Sequence, residues 1–154
     1  MKTKTAMFGA GCFWGVEEAF RTTPGVVGTE VGYSGGDFDN PTYQDVCSDI
    51  TGHAEVVKVE YEPEKISYEE LLKVFWNIHD PTQFNRQGPD FGLQYRSVIF
   101  YFDDEQKKEA EKSLKDEQKK YEKPIATKIK KAEQFWRAEE YHQKYVMRTG
   151  KKVC

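Results

Sequence analysis

Cys12 lies in Gly11-Cys12-Phe13-Trp14-Gly15, where two glycines leave room beside a thiol and two aromatic rings supply apolar surface next to it. A strand over residues 4–8 leads into this segment, and a helix over residues 12–21 leads out, with Phe13, Val16 and Phe20 on one face by helical spacing. The thiol therefore sits in the first turn of a helix, where unpaired backbone N–H groups and the positive end of the dipole favour thiolate over thiol. A helix N-terminus stabilises an anion by ~0.3–1 kcal/mol, which lowers the ordinary thiol pKa of about 8.5 by roughly one unit. Such a thiol is partly ionised near neutral pH, and a second group must activate its electrophile. A cysteine that merely fills space beneath a helix needs no such clearance.

Glu55 is the second group. Strand alternation over residues 55–61 places it on one side with Val57, Val59 and Tyr61. A carboxyl at the apolar end of a strand is partly desolvated, which raises its pKa and makes it a proton donor near neutrality. Tyr43, in Asn40-Pro41-Thr42-Tyr43, and Asp90 and Tyr95, in the segment 88–95, fall in turn-rich loops of the kind that carry binding groups. A tyrosine hydroxyl donates to an oxygen without adding charge. His53, His79 and His142 are scattered and read as caps or core hydrogen-bonders. Cys47 reads as a buried small residue. Cys154 ends a polar tail and reads either as an incidental exposed thiol or as one able to reach elsewhere on the surface.

A chain of 154 residues suffices for one domain with a continuous core to hold these groups. The expectation is a single catalytic domain over residues 1–154, with 146–154 a mobile tail carrying Cys154. A formal net charge of −3 lacks the basic excess of a nucleic-acid binder. No apolar run approaches the roughly 20 residues that span a bilayer, and no apolar stretch follows Lys2 and Lys4 to make a signal peptide. A cytoplasmic, monomeric protein is expected. Three cysteines without CxxC spacing make neither a disulfide framework nor a structural zinc site, so no metal and no cofactor are expected.

Further strands are expected at 26–33, 55–61, 96–102 and 125–129. Helices are expected from the Ser67/Glu70 capping box to Ile78, over 104–121 and over 135–145, with polar loops at 37–52 and 82–94. The order β-α-β-β-α-β predicts an α+β fold, a ferredoxin-like split βαβ plait whose mixed sheet is covered by helices, with C-terminal additions.

Five segments in order resemble the A class of peptide methionine sulfoxide reductases: GCFWG at 11–15, YSGG at 33–36, NPTYQDVCSDITGHAEVV at 40–57, HDPTQFNRQGPDFGLQYRS at 79–97 and AEEYHQKY at 138–145. The resemblance implies reduction of methionine-(S)-sulfoxide, protein-bound or free. It implies Cys12 as nucleophile, Glu55 as proton donor to the sulfoxide oxygen, Tyr43 and Tyr95 as hydrogen-bond donors to it, and Asp90 as a polar member of the site. Phe13 and Trp14 would cage the substrate methyl group and Tyr145 would border the pocket. It further implies a sulfenic acid on Cys12, a disulfide formed with a second cysteine, expected to be Cys154, and recycling by thioredoxin. Two rival readings stand beside it: another thiol peroxidase or oxidoreductase, and a non-enzymatic metal or interaction module using Cys12, His53 and Cys154.

Overall fold

The computed structural model describes residues 2–48 and 50–151. Strand β1 (Lys4–Ala10) feeds helix α1 (Phe13–Arg21), followed by β2 (Val26–Ser34), a short helix α2 (Tyr43–Cys47), β3 (Ala54–Tyr61) and α3 (Tyr68–Asn77). A two-strand hairpin, β4 (Arg86–Gln87) with β5 (Asp90–Phe91), and a 3₁₀ turn at Leu93–Tyr95 precede β6 (Ser97–Tyr101) and α4 (Asp104–Gln118). The chain ends with β7 (Lys128–Lys131), β8 (Trp136–Arg137), a 3₁₀ turn at Glu140–His142 and α5 (Tyr145–Thr149).

Six strands form one mixed sheet in the order β7-β6-β1-β3-β2-β8. β3 lies antiparallel between β1 and β2, β1 is antiparallel to β6, and β6 is parallel to β7. The apolar face of α1 (Val16, Phe20) and that of α3 (Leu71, Leu72, Phe75) cover Phe8, Val57, Val59 and Ile99 on one side of the sheet. Phe8 anchors this layer, with its ring centroid 5.1 Å from that of Phe20 and 5.3 Å from that of Phe75. Met7, Val56, Val98 and Phe100 face the other way and are covered by Ala132 and Phe135. β3 is therefore buried on both sides, which suits a central strand rich in valine.

The Ser67 capping box forms, with the Ser67 hydroxyl accepting from the Glu70 N–H at 3.1 Å and the Glu70 carboxylate accepting from the Ser67 N–H at 3.2 Å. Other expectations are corrected. The polar stretch 37–52 contains α2, opened by a second capping box between Thr42 and Asp45. The stretch 82–94 contains the β4–β5 hairpin. Residues 135–145 are not a helix: Trp136 and Arg137 pair with Tyr33 and Gly32 at the edge of β2, and extended pairing displaces the expected helical turn. Helix α5 runs to Thr149, with Val146 buried. Cys154 lies outside the described residues. Among the described residues no helix is long and apolar enough to cross a membrane.

Candidate active site

Cys12 is the N-cap of α1, and its carbonyl accepts from the Val16 N–H at 3.4 Å. The chain reaches it through Gly11 at φ +98°, a conformation that suits glycine, and a Cβ there would stand 3.0 Å from the Gln87 side chain. Gln87 is itself held in place, its side-chain amide exchanging two hydrogen bonds, each 2.9 Å, with the backbone of Asp80. A Cβ on Gly15 would meet nothing within 4 Å, so the first turn of the helix borders open space near the half-buried Cys12.

Directly beneath that turn lies Glu55, 1% exposed. The Phe13 N–H, the first free donor of the helix, donates to its Oε1 at 3.2 Å, while Oε2 is buried and unpaired. Burial pushes the Glu55 carboxyl up to about 8, against the lowering effect of the Phe13 N–H and with help from the nearby charge of Asp90. Glu55 is thus largely protonated at neutral pH, with one oxygen aimed at no protein group. Leaving such an atom unpaired costs ~1–3 kcal/mol, an expense a site recovers when a substrate pairs it.

Tyr43 and Tyr95 gather at the same carboxyl. Burial raises both, followed by the charge of Glu55, and Tyr95 is pushed up to about 12. The two tyrosines also bear electrostatically on each other, and both remain neutral donors. Asp90, on β5, is raised by its own partial burial and bears electrostatically on both Glu55 and Tyr95. Cys47, expected to be buried, is exposed at the last residue of α2, one helical turn from Tyr43 and hydrogen-bonded to it.

The aromatic pair separates. Phe13 is sealed against Tyr33 and His142, with ring centroids 5.7 Å and 5.2 Å away. Trp14 is only half-buried and stacks on Tyr145 at 3.8 Å, with 11° between the planes. The indole N–H of Trp14 donates to His142 Nδ1 at 2.9 Å, which leaves the imidazole proton on Nε2, a buried atom without a partner. Tyr43 packs on the same imidazole at 4.5 Å.

Sequence reasoning missed two members. His142 reads as a core hydrogen-bonder, yet it joins Phe13, Trp14 and Tyr43 into one wall. Glu139 accepts from the Tyr43 N–H and the Tyr33 hydroxyl, both at 2.9 Å. Burial pulls its carboxyl upward, but these donors and its own N–H outweigh burial and hold it below the ordinary value. The run Ala138-Glu139-Glu140-Tyr141-His142 offered a signal, but its partners lie about a hundred positions upstream. His53 is engaged elsewhere: it accepts from the Gly36 N–H at Nδ1, 2.9 Å, and pairs through Nε2 with the Phe38 carbonyl at 2.7 Å. Among the described residues no three His, Cys, Asp or Glu side chains converge to hold a metal ion.

The chain matches the family model described as peptide methionine sulfoxide reductase over residues 4–154. It is similar to the Peptide methionine sulfoxide reductase MsrA of Methanothermobacter thermautotrophicus, 56% identical over 151 residues that cover 97% of this chain and 89% of the relative. It is also similar to the chloroplastic Peptide methionine sulfoxide reductase A4 of Arabidopsis thaliana, 56% identical over 146 residues covering 95% of this chain and 57% of that one. Among solved structures, Mxr1 from Saccharomyces cerevisiae in reduced form superposes with a TM-score of 0.94 at 40% identity, covering 99% of this chain and 89% of that one. Mxr1 in complex with Trx2 gives 0.68 at 30% identity, covering 94% and 85%. With nearly the whole chain matched by sequence and by fold, and a cysteine capping a helix over a buried carboxyl, the chain belongs to the peptide methionine sulfoxide reductase family.

Proposed function

We propose that this thiol-dependent methionine sulfoxide reductase acts on the S epimer, in proteins and as the free amino acid, with Cys12, Glu55, Tyr43 and Tyr95 at the reacting atoms. The Cys12 sulfur attacks the sulfoxide sulfur. Glu55 Oε2 gives its proton to the sulfoxide oxygen while the Tyr43 and Tyr95 hydroxyls donate to it. Protonation makes the substrate sulfur electrophilic enough for a modestly activated thiol. The oxygen passes to Cys12 as a sulfenic acid, the substrate sulfur gains two electrons, and methionine leaves. Trp14 and Tyr145 flank the methyl group, with Phe13 and His142 behind them; Asp90 supports the protonated state of Glu55.

A second thiol, assigned to Cys154, then condenses with the sulfenic acid, releasing water and forming a disulfide that thioredoxin reduces. The solved complex of Mxr1 with Trx2, from a relative of the same fold, supports thioredoxin as the reductant. A reducing compartment, the cytoplasm, and a monomer fit this cycle. The strand order β6-β1-β3-β2 with antiparallel neighbours supports reading the core as a ferredoxin-like plait.

The observation that carries the proposal is the unpaired Glu55 Oε2, held under the helix tip that Cys12 caps. Each epimer of methionine sulfoxide, offered with dithiothreitol, tests it: the S epimer is expected to turn over and the R epimer not, and an inert S epimer overturns the reading. Cys154→Ser is expected to keep the first turnover and lose thioredoxin-driven recycling. Unchanged recycling would transfer the resolving role to Cys47 or to direct reduction of the sulfenic acid.

A further inference from the structure

Two residues of the C-terminal segment, His142 and Tyr145, reach Trp14 at the candidate pocket, and they flank a turn with unusual backbone. Lys144 is left-handed, at φ 54° and ψ 39°, a conformation disfavoured for a residue with a side chain. That turn carries the chain from the 3₁₀ turn bearing His142 into α5, whose first residue is Tyr145, and so delivers both rings to Trp14.

What holds the turn is a carboxyl on α1, five residues beyond Cys12. Glu17 is 1% exposed, and both of its oxygens are used. Oε1 accepts from the Lys144 backbone N–H at 2.7 Å. Oε2 accepts from the Thr29 hydroxyl at 2.8 Å and lies 3.7 Å from Lys144 Nζ, which itself donates to the Thr29 carbonyl at 3.0 Å. The neighbouring Gln143, also buried, clamps Val31 through its N–H and its carbonyl, each at 2.9 Å, and reaches the Ala138 carbonyl. Two anchoring residues, Gln143 and Lys144, thus lie between two pocket residues, His142 and Tyr145. A buried carboxyl is costly to keep unless its partners are in place. Here the partner is a backbone N–H exposed by an unfavourable turn, so the two requirements are met together.

We propose that Glu17 is a positioning residue for the substrate pocket: by clasping the Lys144 turn to α1 it fixes Tyr145 and His142 against Trp14, and thereby sets affinity for the methyl sulfoxide rather than the chemical step. The inference rests on the reading of Trp14 and Tyr145 as pocket walls. A clasp formed between the helix that carries the nucleophile and the segment that carries the wall keeps the two in register whatever the substrate's flanking chain.

The test compares Glu17→Met, which keeps volume but removes both acceptors, with Glu17→Gln, which keeps one. It measures kcat and KM for methionine-S-sulfoxide in a short peptide with dithiothreitol, alongside alkylation of reduced Cys12 by iodoacetamide as a control for the helix tip. Glu17→Met is expected to raise KM about tenfold with a much smaller change in kcat, and Glu17→Gln is expected to fall between it and the wild type. Tyr145→Ala is expected to raise KM too, and combining it with Glu17→Met should add little, because both remove the same contact. If Tyr145→Ala raises KM and Glu17→Met does not, or if the two effects multiply, the clasp is overturned while the pocket stands. If Tyr145→Ala leaves KM unchanged, the pocket reading fails and takes the clasp with it. Should Glu17→Met not fold, the near-isosteric Thr29→Val removes the donor to Oε2 and is expected to raise KM about threefold; an unchanged KM overturns the proposal.

Discussion

Two desolvated ionisable groups, Glu55 fully buried and His79 partly buried, sit at opposite sides of β1, and the contrast between them separates an open group from a closed one. Glu55 lies under the tip of α1 with one oxygen paired and one left open. His79 lies at the end of α3 with both ring nitrogens engaged: Nδ1 pairs with the Phe75 carbonyl and Nε2 with the Ser97 hydroxyl, each at 2.7 Å, and Ser97 continues to Thr127, also at 2.7 Å. Burial acts on both in the direction of neutrality. It pushes Glu55 up to about 8 and His79 down to about 4, the latter against the raising effects of the Phe75 carbonyl and Asp80. A histidine touching a serine resembles part of a hydrolase dyad, yet this pair is a closed hydrogen-bonded chain tying α3 to β6 and to the segment before β7. Burial alone therefore does not mark a candidate group; burial with an unmet hydrogen bond, under a cysteine that caps a helix, does.

The sharpest way to break the comparison is Cys12→Ser, expected to abolish turnover with any reductant; residual turnover would remove the reason for Glu55 to hold a proton there. Next, Glu55→Gln is expected to lower kcat by roughly 10²–10⁴-fold with a much smaller change in KM, as loss of a general acid does. An effect confined to KM would make Glu55 a binding group instead.

The same substitution reads out in stability. The folded pKa of Glu55, about 8, exceeds its ordinary value of 4.5. Its contribution is thus fully present below pH 4.5 and lost as pH rises through 8, a loss on the order of 5 kcal/mol. Urea denaturation at pH 5 and pH 9 is expected to show a steeper alkaline decline for the wild type than for Glu55→Gln; parallel curves would mean that the carboxyl is not desolvated. His79 has the opposite sign. Its folded pKa of about 4 lies below the ordinary value of 6.5. Its contribution is present above pH 6.5 and lost as pH falls through 4, by about 3 kcal/mol in total. His79→Gln should therefore be less stable at pH 7 but have a flatter acid limb, with kcat close to wild type. The smallest expected effect is that of Ser97→Ala, which removes one link of the chain and should cost about 1–2 kcal/mol of stability at pH 7.

Legibility in the sequence followed the range of the interactions involved. The central strand β3 and the capped helix α3 were readable because alternation and a capping box act within a few residues. So was Cys12 at a helix tip, since the turn into α1 is local. Helix α2 was not, because its capping box is embedded in a run of turn-forming residues. The C-terminal segment was misread as a helix because its aromatic spacing is decided by pairing with β2 and by the Gln143 clamp, both reaching back more than a hundred positions. Glu17 carries no local signal in the sequence, because only the fold brings Lys144 to it.

By itself the sequence determined the order of elements, the thiol at the start of α1 and the parity that turns Glu55 to the same side as Val57. The tertiary structure alone decided that Glu55 keeps its proton, that Phe13 is sealed while Trp14 stays open, and that His142, Glu139 and Glu17 support the site. The physical reason is that a pKa and a hydrogen-bond partner depend on what surrounds a group in space. The N–H that reaches Glu55 is 42 positions away, and the indole that reaches His142 is 128 positions away.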